Sequence, residues 1–238
     1  MTANELRYNI LVGVDSLFAG TAPGYNDRQI SSIINRAQRR VFKDKAPLFD
    51  SNEKIKRILA PVVKRGSLGE GDIVATTEAS IINYPHTTSD MSGEFFTLPD
   101  DVALIVEEAI KLDLSGVVND VAIVFPITYD YFLKNYKSRY KKPCADLVWR
   151  MDAKLDDGHH CVELIYPDTY TVDDYIVSYL RYPTDITVNI GTPGSQVDCE
   201  IVDQSFQDEI ISESIKIITA SLGDQGYEVA VNEKKFDE

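Results

Sequence analysis

His159-His160-Cys161 is the densest run of metal-capable side chains in this 238-residue chain. Successive side chains of a strand point to opposite faces, so His159 and Cys161 could share one site while His160 turns away. A closed metal site needs further ligands at short spacings. None is found nearby, and no metal or other cofactor is expected. The carboxylate pairs Asp100-Asp101, Asp156-Asp157 and Asp173-Asp174 all fall in stretches that read as turns, where aspartate is favoured for bonding its own backbone. The glycines at 66, 69 and 71 lack the lysine and spacing of a phosphate-binding loop and read as connectors. No glycine-flanked serine elbow occurs, and His86 sits alone in a polar loop. The chain does not read as an enzyme.

A second chemistry is conceivable between residues 131 and 142, where Lys137, Arg139, Lys141 and Lys142 lie among Tyr131, Tyr136 and Tyr140. Cations interleaved with aromatic rings can hold single-stranded nucleic acid, so a nucleic-acid-handling module is an alternative reading. The net charge of -14 argues against it, because tight binding to phosphates requires an excess of basic groups. The charge is also uneven. Residues 28–65 hold eleven Lys or Arg and three Asp or Glu, a balance of +8, whereas residues 146–238 hold six against twenty, a balance of -14. Such bipolarity is either two solvated faces or a means of head-to-tail association between copies.

Composition sets the frame for these residues. With 44% hydrophobic and 26% charged residues the chain is that of a folded protein able to bury a core. The odd set Cys144, Cys161 and Cys199 reads as reduced thiols. There is no signal-peptide pattern, and the apolar runs are too short to span a bilayer, so no membrane association is expected.

The elements follow from periodicity. Residues 4–18 read as a helix with Leu6, Ile10, Val14 and Leu17 on one side. A second helix, capped by Asn26 or Asp27, has an apolar line from Ile30 to Val41, including Ile33, and a basic face with Arg36, Arg39 and Arg40. A third runs from a Ser51 cap to about Ala60. Short strands are expected at 73–75, 80–83 and 94–98, and a longer one over 102–114. VAIVF at 121–125 reads as a buried strand. A helix capped by Thr128 or Asp130 follows, with Tyr129, Phe132, Leu133 and Tyr136 inward. Strands at 147–151, 160–166 and 174–182 are expected to form an antiparallel meander, the last being central. The fold class is therefore α+β. N-terminal and C-terminal helices, residues 1–65 plus 203–238, would form a helical bundle. A mainly antiparallel sheet or sandwich, residues 66–202 with one internal helix at about 128–138, would be inserted between them. The alternative is a single structural unit.

The final helix, from a Ser205 cap to about Leu222, carries most of the functional expectation. At about 100° per residue, Phe206, Ile210 and Ile217 fall on one line. Ile211, Ile215, Ile218 and Leu222 fall on another. Two apolar lines need two partners. Either the helix is sunk within its own domain, or one line meets the core and the other a neighbouring copy; Phe206, Ile210 and Ile217, with Arg36, Arg39, Arg40, Lys137, Arg139, Lys141 and Lys142, are the candidate subunit or partner interface.

Taken in order, ISSIINRAQRRVFKDKAPLFDSN, FFTLPDDVALI, FPITYDYFLKNYKSRYKKP, LVWRMD, VELIYP, DYIVSYLRYPTDITV and CEIVDQSFQDEIISESIKI resemble a virion structural protein of crAss-like and related Bacteroides bacteriophages. The chain is more distantly similar to the head-to-tail adaptors, or tail tubular proteins, of short-tailed phages. The resemblance covers residues 28–222 and leaves out the first helix and the last fifteen residues. It implies a virion neck component, one of the rings between portal and tail. It further implies twelve copies around a channel through which genomic DNA passes without specific binding, in contact with the portal protein and other neck or tail ring proteins. Alternatives within this class are another tail part or a capsid accessory.

Overall fold

A computed structural model describes residues 1–17, 24–76, 85–114, 117–154, 159–189, 191 and 195–221. Expectations for a strand at 80–83, a turn at 156–157 and the helix end at Leu222 lie outside these residues. In chain order the helices are α1 (Ala3–Leu17), α2 (Asp27–Lys45), α3 (Glu53–Leu59), α4 (Tyr129–Asn135) and α5 (Gln204–Ser221). The strands are β1 (Val63–Ser67), β2 (Val74–Thr76), β3 (Met91–Thr97), β4 (Val102–Leu114), β5 (Val117–Pro126), β6 (Leu147–Lys154), β7 (His160–Pro167) and β8 (Thr171–Arg181). The chain divides into two compact units, Met1–Val62 with Tyr182–Glu238, and Val63–Arg181.

In the first unit local chemistry sets each helix start. Asn26 and Gln29 form a reciprocal capping box at α2, the Asn26 side chain accepting from Gln29 N and the Gln29 side chain from Asn26 N. The cap of α3 is Asn52, not Ser51, since Asn52 Oδ1 accepts from Lys54 N and Ile55 N. At α5, Asp203 takes the place expected of Ser205: its carboxylate accepts from Phe206 N at 3.1 Å and from the Ser205 hydroxyl at 2.5 Å. Both bonds favour the ionised form and hold Asp203 below the usual carboxylate range, the serine bond most.

These helices bury continuous stripes, Leu6, Ile10 and Val14 on α1 and Ile30, Ile34, Ala37 and Val41 on α2. Ile33, expected on that line, is only half-buried. The helix α5 packs against both α1 and α2. Residues 184–188 are irregular yet firmly held, because α2 supplies their missing partners. Asn35 bonds both the N–H and the C=O of Ile186, Gln38 donates to Thr184 O, and Ser31 accepts from Val188 N. A polar stripe on a helix thus does the work of a neighbouring strand.

The second unit is one eight-stranded sheet in the order β1-β8-β4-β5-β6-β7-β3-β2. Its end strands β1 and β2 are consecutive in sequence, joined by a turn in which Asp72 N and Ile73 N both donate to Ser67 O and Gly71 takes the left-handed φ of 81°. The sheet therefore curls. Its inner face gathers Phe96, Ile110, Ala122, Val148, Leu164 and Val177 into one core.

Two expectations are corrected here. The sheet is mixed, because β5 and β6 run parallel with Phe125 opposite Trp149. A parallel pair cannot be joined by a tight turn, and α4 is the crossover that joins it. Nor do the last three strands form a meander: β6 and β7 pair, but β8 lies between β1 and β4.

Candidate assembly surfaces

The first apolar line of α5 is absorbed within the chain. Phe206 and Ile210 are fully buried and Ile217 is 8% exposed. Glu209 and Glu213 beside that line are bound to Lys45 and Arg40 of α2 at 2.7 and 2.6 Å. The second line turns to α1, where a Cβ on Gly13 would lie 2.4 Å from Ile215 Cδ1. Both helices that α5 packs against belong to the same chain, although Ile211 and Ile215 of the second line remain half-buried. Phe206, Ile210 and Ile217 are core residues, with no surface left for a neighbouring copy.

Among the described residues β5 leaves a row of three apolar side chains uncovered. Ala122 and Val124 point into the sheet interior, while Val121, Ile123 and Phe125 alternate with them outward and remain 56, 68 and 45% exposed. The reason is the reach of α4. Its Phe132 covers Met91, Trp149, Met151 and Ile165 on the outer face of β3, β6 and β7. That cover stops where the Tyr131 ring lies 6.0 Å from Phe125. Full burial of each such side chain is worth about 1.5–3 kcal/mol, so a partner on this row would gain several kcal/mol before the cost of association. Reading VAIVF as a buried strand is correct for one face only.

On α4 itself Phe132 is buried as expected, but Tyr129 and Leu133 are 57 and 49% exposed. The basic tract behind it is largely outward. Lys137, Arg139 and Lys141 are exposed, with the Lys137 ammonium 5.2 Å from the Tyr136 ring, whereas Lys142 is tied to Asp90 at 2.9 Å. That ion pair and the Ser89 hydroxyl hold the Asp90 carboxyl below its ordinary range, the hydroxyl more strongly. On α2, Arg36 is exposed, Arg39 reaches Asp185 at 3.0 Å and Arg40 reaches Glu213. Part of the basic face is thus satisfied by the acidic half of the same chain, and the bipolarity is partly internal.

The residues with chemical potential are dispersed. His159 pairs with Asp100, whereas Cys161 is buried against Phe95 and Ala153 and its thiol is pushed up to about 11 by desolvation. Among the described residues no group of three or more His, Cys, Asp or Glu could hold a metal ion. His86 is not alone. Its backbone N and its Nδ1 contact the two oxygens of Glu163, at 2.5 and 2.7 Å, and its ring lies edge-on to Phe132. Glu163 is 1% exposed; burial raises its pKa, and the His86 bonds oppose that rise. A cavity of about 410 Å³, lined by Val102, Leu104, Arg150 and His160 among others, opens where β4 runs on past its pairing with β5. Its one cation is already engaged, since Arg150 lies 3.0 Å from Glu108, which also accepts from the Tyr175 hydroxyl. Sequence reading missed both buried pairs, whose partners lie far apart in the chain and share no motif.

Among the described residues no helix is long and apolar enough to cross a membrane. A family model described as phage tail ring protein 3/4 matches residues 1–226. This match takes in the first helix, which the sequence resemblance had left out. The chain is also 24% identical over 239 residues to ring protein 4/5 of Bacteroides phage crAss001, an alignment covering 93% of each. Dispersed chemistry, an uncovered apolar strand face and a match along nearly the whole length agree: the chain belongs to the phage tail ring protein 3/4 family.

Proposed function

We propose that this protein forms a ring in the neck of the virion, one of the connectors between portal and tail, with no catalytic role. Its partners are further copies of itself, twelve in a closed circle, together with the portal protein and adjoining neck or tail rings. Genomic DNA passes through the middle without specific binding. An acidic surplus suits this role, because like charge repels the phosphate backbone and lets it slide. The observation that carries the reading is the family match over residues 1–226 combined with an apolar row on β5 that one chain leaves uncovered.

Electron microscopy of purified virions, with the chain carrying a visible tag, tests the proposal. The expected result is tag density in a ring of twelve at the neck. Tag density on the capsid shell or at the distal tail, or no chain in the particle, refutes it. Salt-titrated DNA binding separates the nucleic-acid alternative. With Lys134, Lys137, Arg139 and Lys141 the exposed cations among residues 131–142 of a chain whose net charge is -14, binding at low salt is expected to be weak and unchanged by Lys141→Ala.

A further inference from the structure

The strand β5 runs out before its neighbours do. It lies between β4 and β6, pairing with β6 as far as Pro126, opposite Arg150, but with β4 only as far as Ile123, opposite Ala109. The chain then turns off at the Thr128 cap into α4, while β4 extends back to Val102 and β6 on to Lys154. Among the described residues no strand pairs with β4 at 102–108 on that side, nor with β6 at 151–154 on the side of β5. Where β5 lies between them the two strands stand two ladder spacings apart, about 9.6 Å. Beyond Pro126 that interval is left without a strand, bordered on both sides by backbone N–H and C=O groups.

The 410 Å³ cavity is this interval, lined by Ala103, Leu104 and Ile105 of β4 and by Asp152 and Ala153 of β6. Its inward side is apolar, formed by the core residues Leu98, Val102 and Val162, and Arg150 at its edge is already engaged by Glu108. Such a track recognises main chain: an extended peptide bonds along both edges, and its alternate side chains reach the core.

The sequence carries a segment of this kind. Outside the described residues two stretches read as strands, 80–83 and Tyr227-Glu228-Val229-Ala230-Val231. The first is tethered by Thr76 on β2 and by His86 beside β7. From β2 the track is four strand spacings away, about 19 Å, which takes about six extended residues out and about three back to His86 and leaves none to pair. The second joins the described residues on one side only, after Ser221 of α5, and Gly223 and Gly226 set it off from the helical pattern. Its five residues span about 17 Å, within the roughly 23 Å of β4 residues 102–108. Tyr227, Val229 and Val231 alternate with Glu228 and Ala230, so one face suits the apolar interior and the carboxylate stays in water.

We infer that Tyr227–Val231 of one copy enters the gap between β4 and β6 of the next as an added strand. This rests on the ring reading, which supplies the neighbour. Donor and acceptor are different parts of the chain, so the contact repeats head to tail from copy to copy, as closure into a ring demands. The segment lies just past residues 1–226, the part matched by the family model, so this contact belongs to the present chain.

The test is disulfide crosslinking within assembled particles, using Ala103→Cys with Val229→Cys in a Cys144→Ser background that removes the exposed native thiol. Oxidation is expected to convert at least half the chain into a ladder of covalent multimers, with neither single cysteine doing so. Val229→Pro, which removes a ladder donor, is expected to cut incorporation into particles at least fivefold, whereas Val229→Ile incorporates normally and both keep the melting temperature of the unaltered chain. A ring that is visible by microscopy but gives no ladder, or gives closure within single chains only, overturns the assigned contact and leaves the ring reading standing. Equal incorporation of Val229→Pro and Val229→Ile overturns the added strand in the same way. Unaltered particles that contain no ring of this chain overturn both.

Discussion

The helix α5 and the strand β5 carry similar apolar excess and end in opposite situations. Each presents hydrophobic side chains on more of its circumference than one neighbour can cover. For α5 the chain supplies two neighbours, α1 and α2, so Phe206 and Ile210 are fully buried. For β5 the chain supplies an interior and then stops, because α4 spreads over β6, β7 and β3 and reaches only as far as Phe125. Apolar content therefore marks a surface for a partner only where the chain has run out of its own elements. The helix serves stability, and the outward face of the strand is left uncovered.

The comparison can be broken most directly at Phe206→Ala, expected to cost about 3–5 kcal/mol in chemical denaturation because a fully buried ring leaves a cavity between helices. If the loss were under about 1 kcal/mol, α5 would not be the core of its unit. Gly13→Leu drives a side chain into Ile215 and should cost about 1–3 kcal/mol by overpacking; an unchanged melting temperature would deny that α1 is the second partner. In the opposite direction, Ser214→Ala should stabilise by about 1 kcal/mol, since this fully buried hydroxyl has no hydrogen-bond partner in its helix interface.

Arg40→Ala should cost only a few tenths of a kcal/mol, roughly 0.3–0.5, because the pair it forms with Glu213 is solvent-screened on the arginine side. The hydrogen bond from Arg40 holds Glu213 below its ordinary 4.5, so the pair's contribution is complete above pH 4.5 and is lost as pH falls through the lowered value. The stability difference between Arg40→Ala and the unaltered chain should therefore shrink on acidification, which melting curves across that range would show. The smallest effect is expected at the strand: Ile123→Ser should move stability by no more than about 0.5 kcal/mol. A loss resembling that of Phe206→Ala would show that β5 is core, and the contrast with α5 would vanish.

Much of this architecture was legible in residue types. The spacing of Leu6, Ile10 and Val14, the Asn26 cap and the Thr128 cap mark helices correctly, because caps and 3.6-residue periods are local. The two apolar lines of α5 were legible too. Their partners were not, since α1 and α2 lie more than 150 residues earlier and periodicity says nothing of what faces a line. For β5 the difficulty is inherent: a strand apolar on both sides looks alike whether one face or both are covered. The order strand–helix–strand at β5, α4 and β6 is that of a crossover between parallel strands, which the turn-based expectation of an antiparallel sheet did not use. Glu163 could not have been matched to His86, 77 residues away, because a buried hydrogen-bonded pair leaves no spacing rule in the sequence.

The sheet unit begins and ends on paired strands: Val63 of β1 stands opposite Leu180 of β8, so the chain enters and leaves at hydrogen-bonded neighbours about 5 Å apart. That makes it a removable cassette. A splice of two or three glycines from Val62 to Tyr182 would reconnect the helices without stretching either side, and the excised 63–181 piece could be transplanted between relatives.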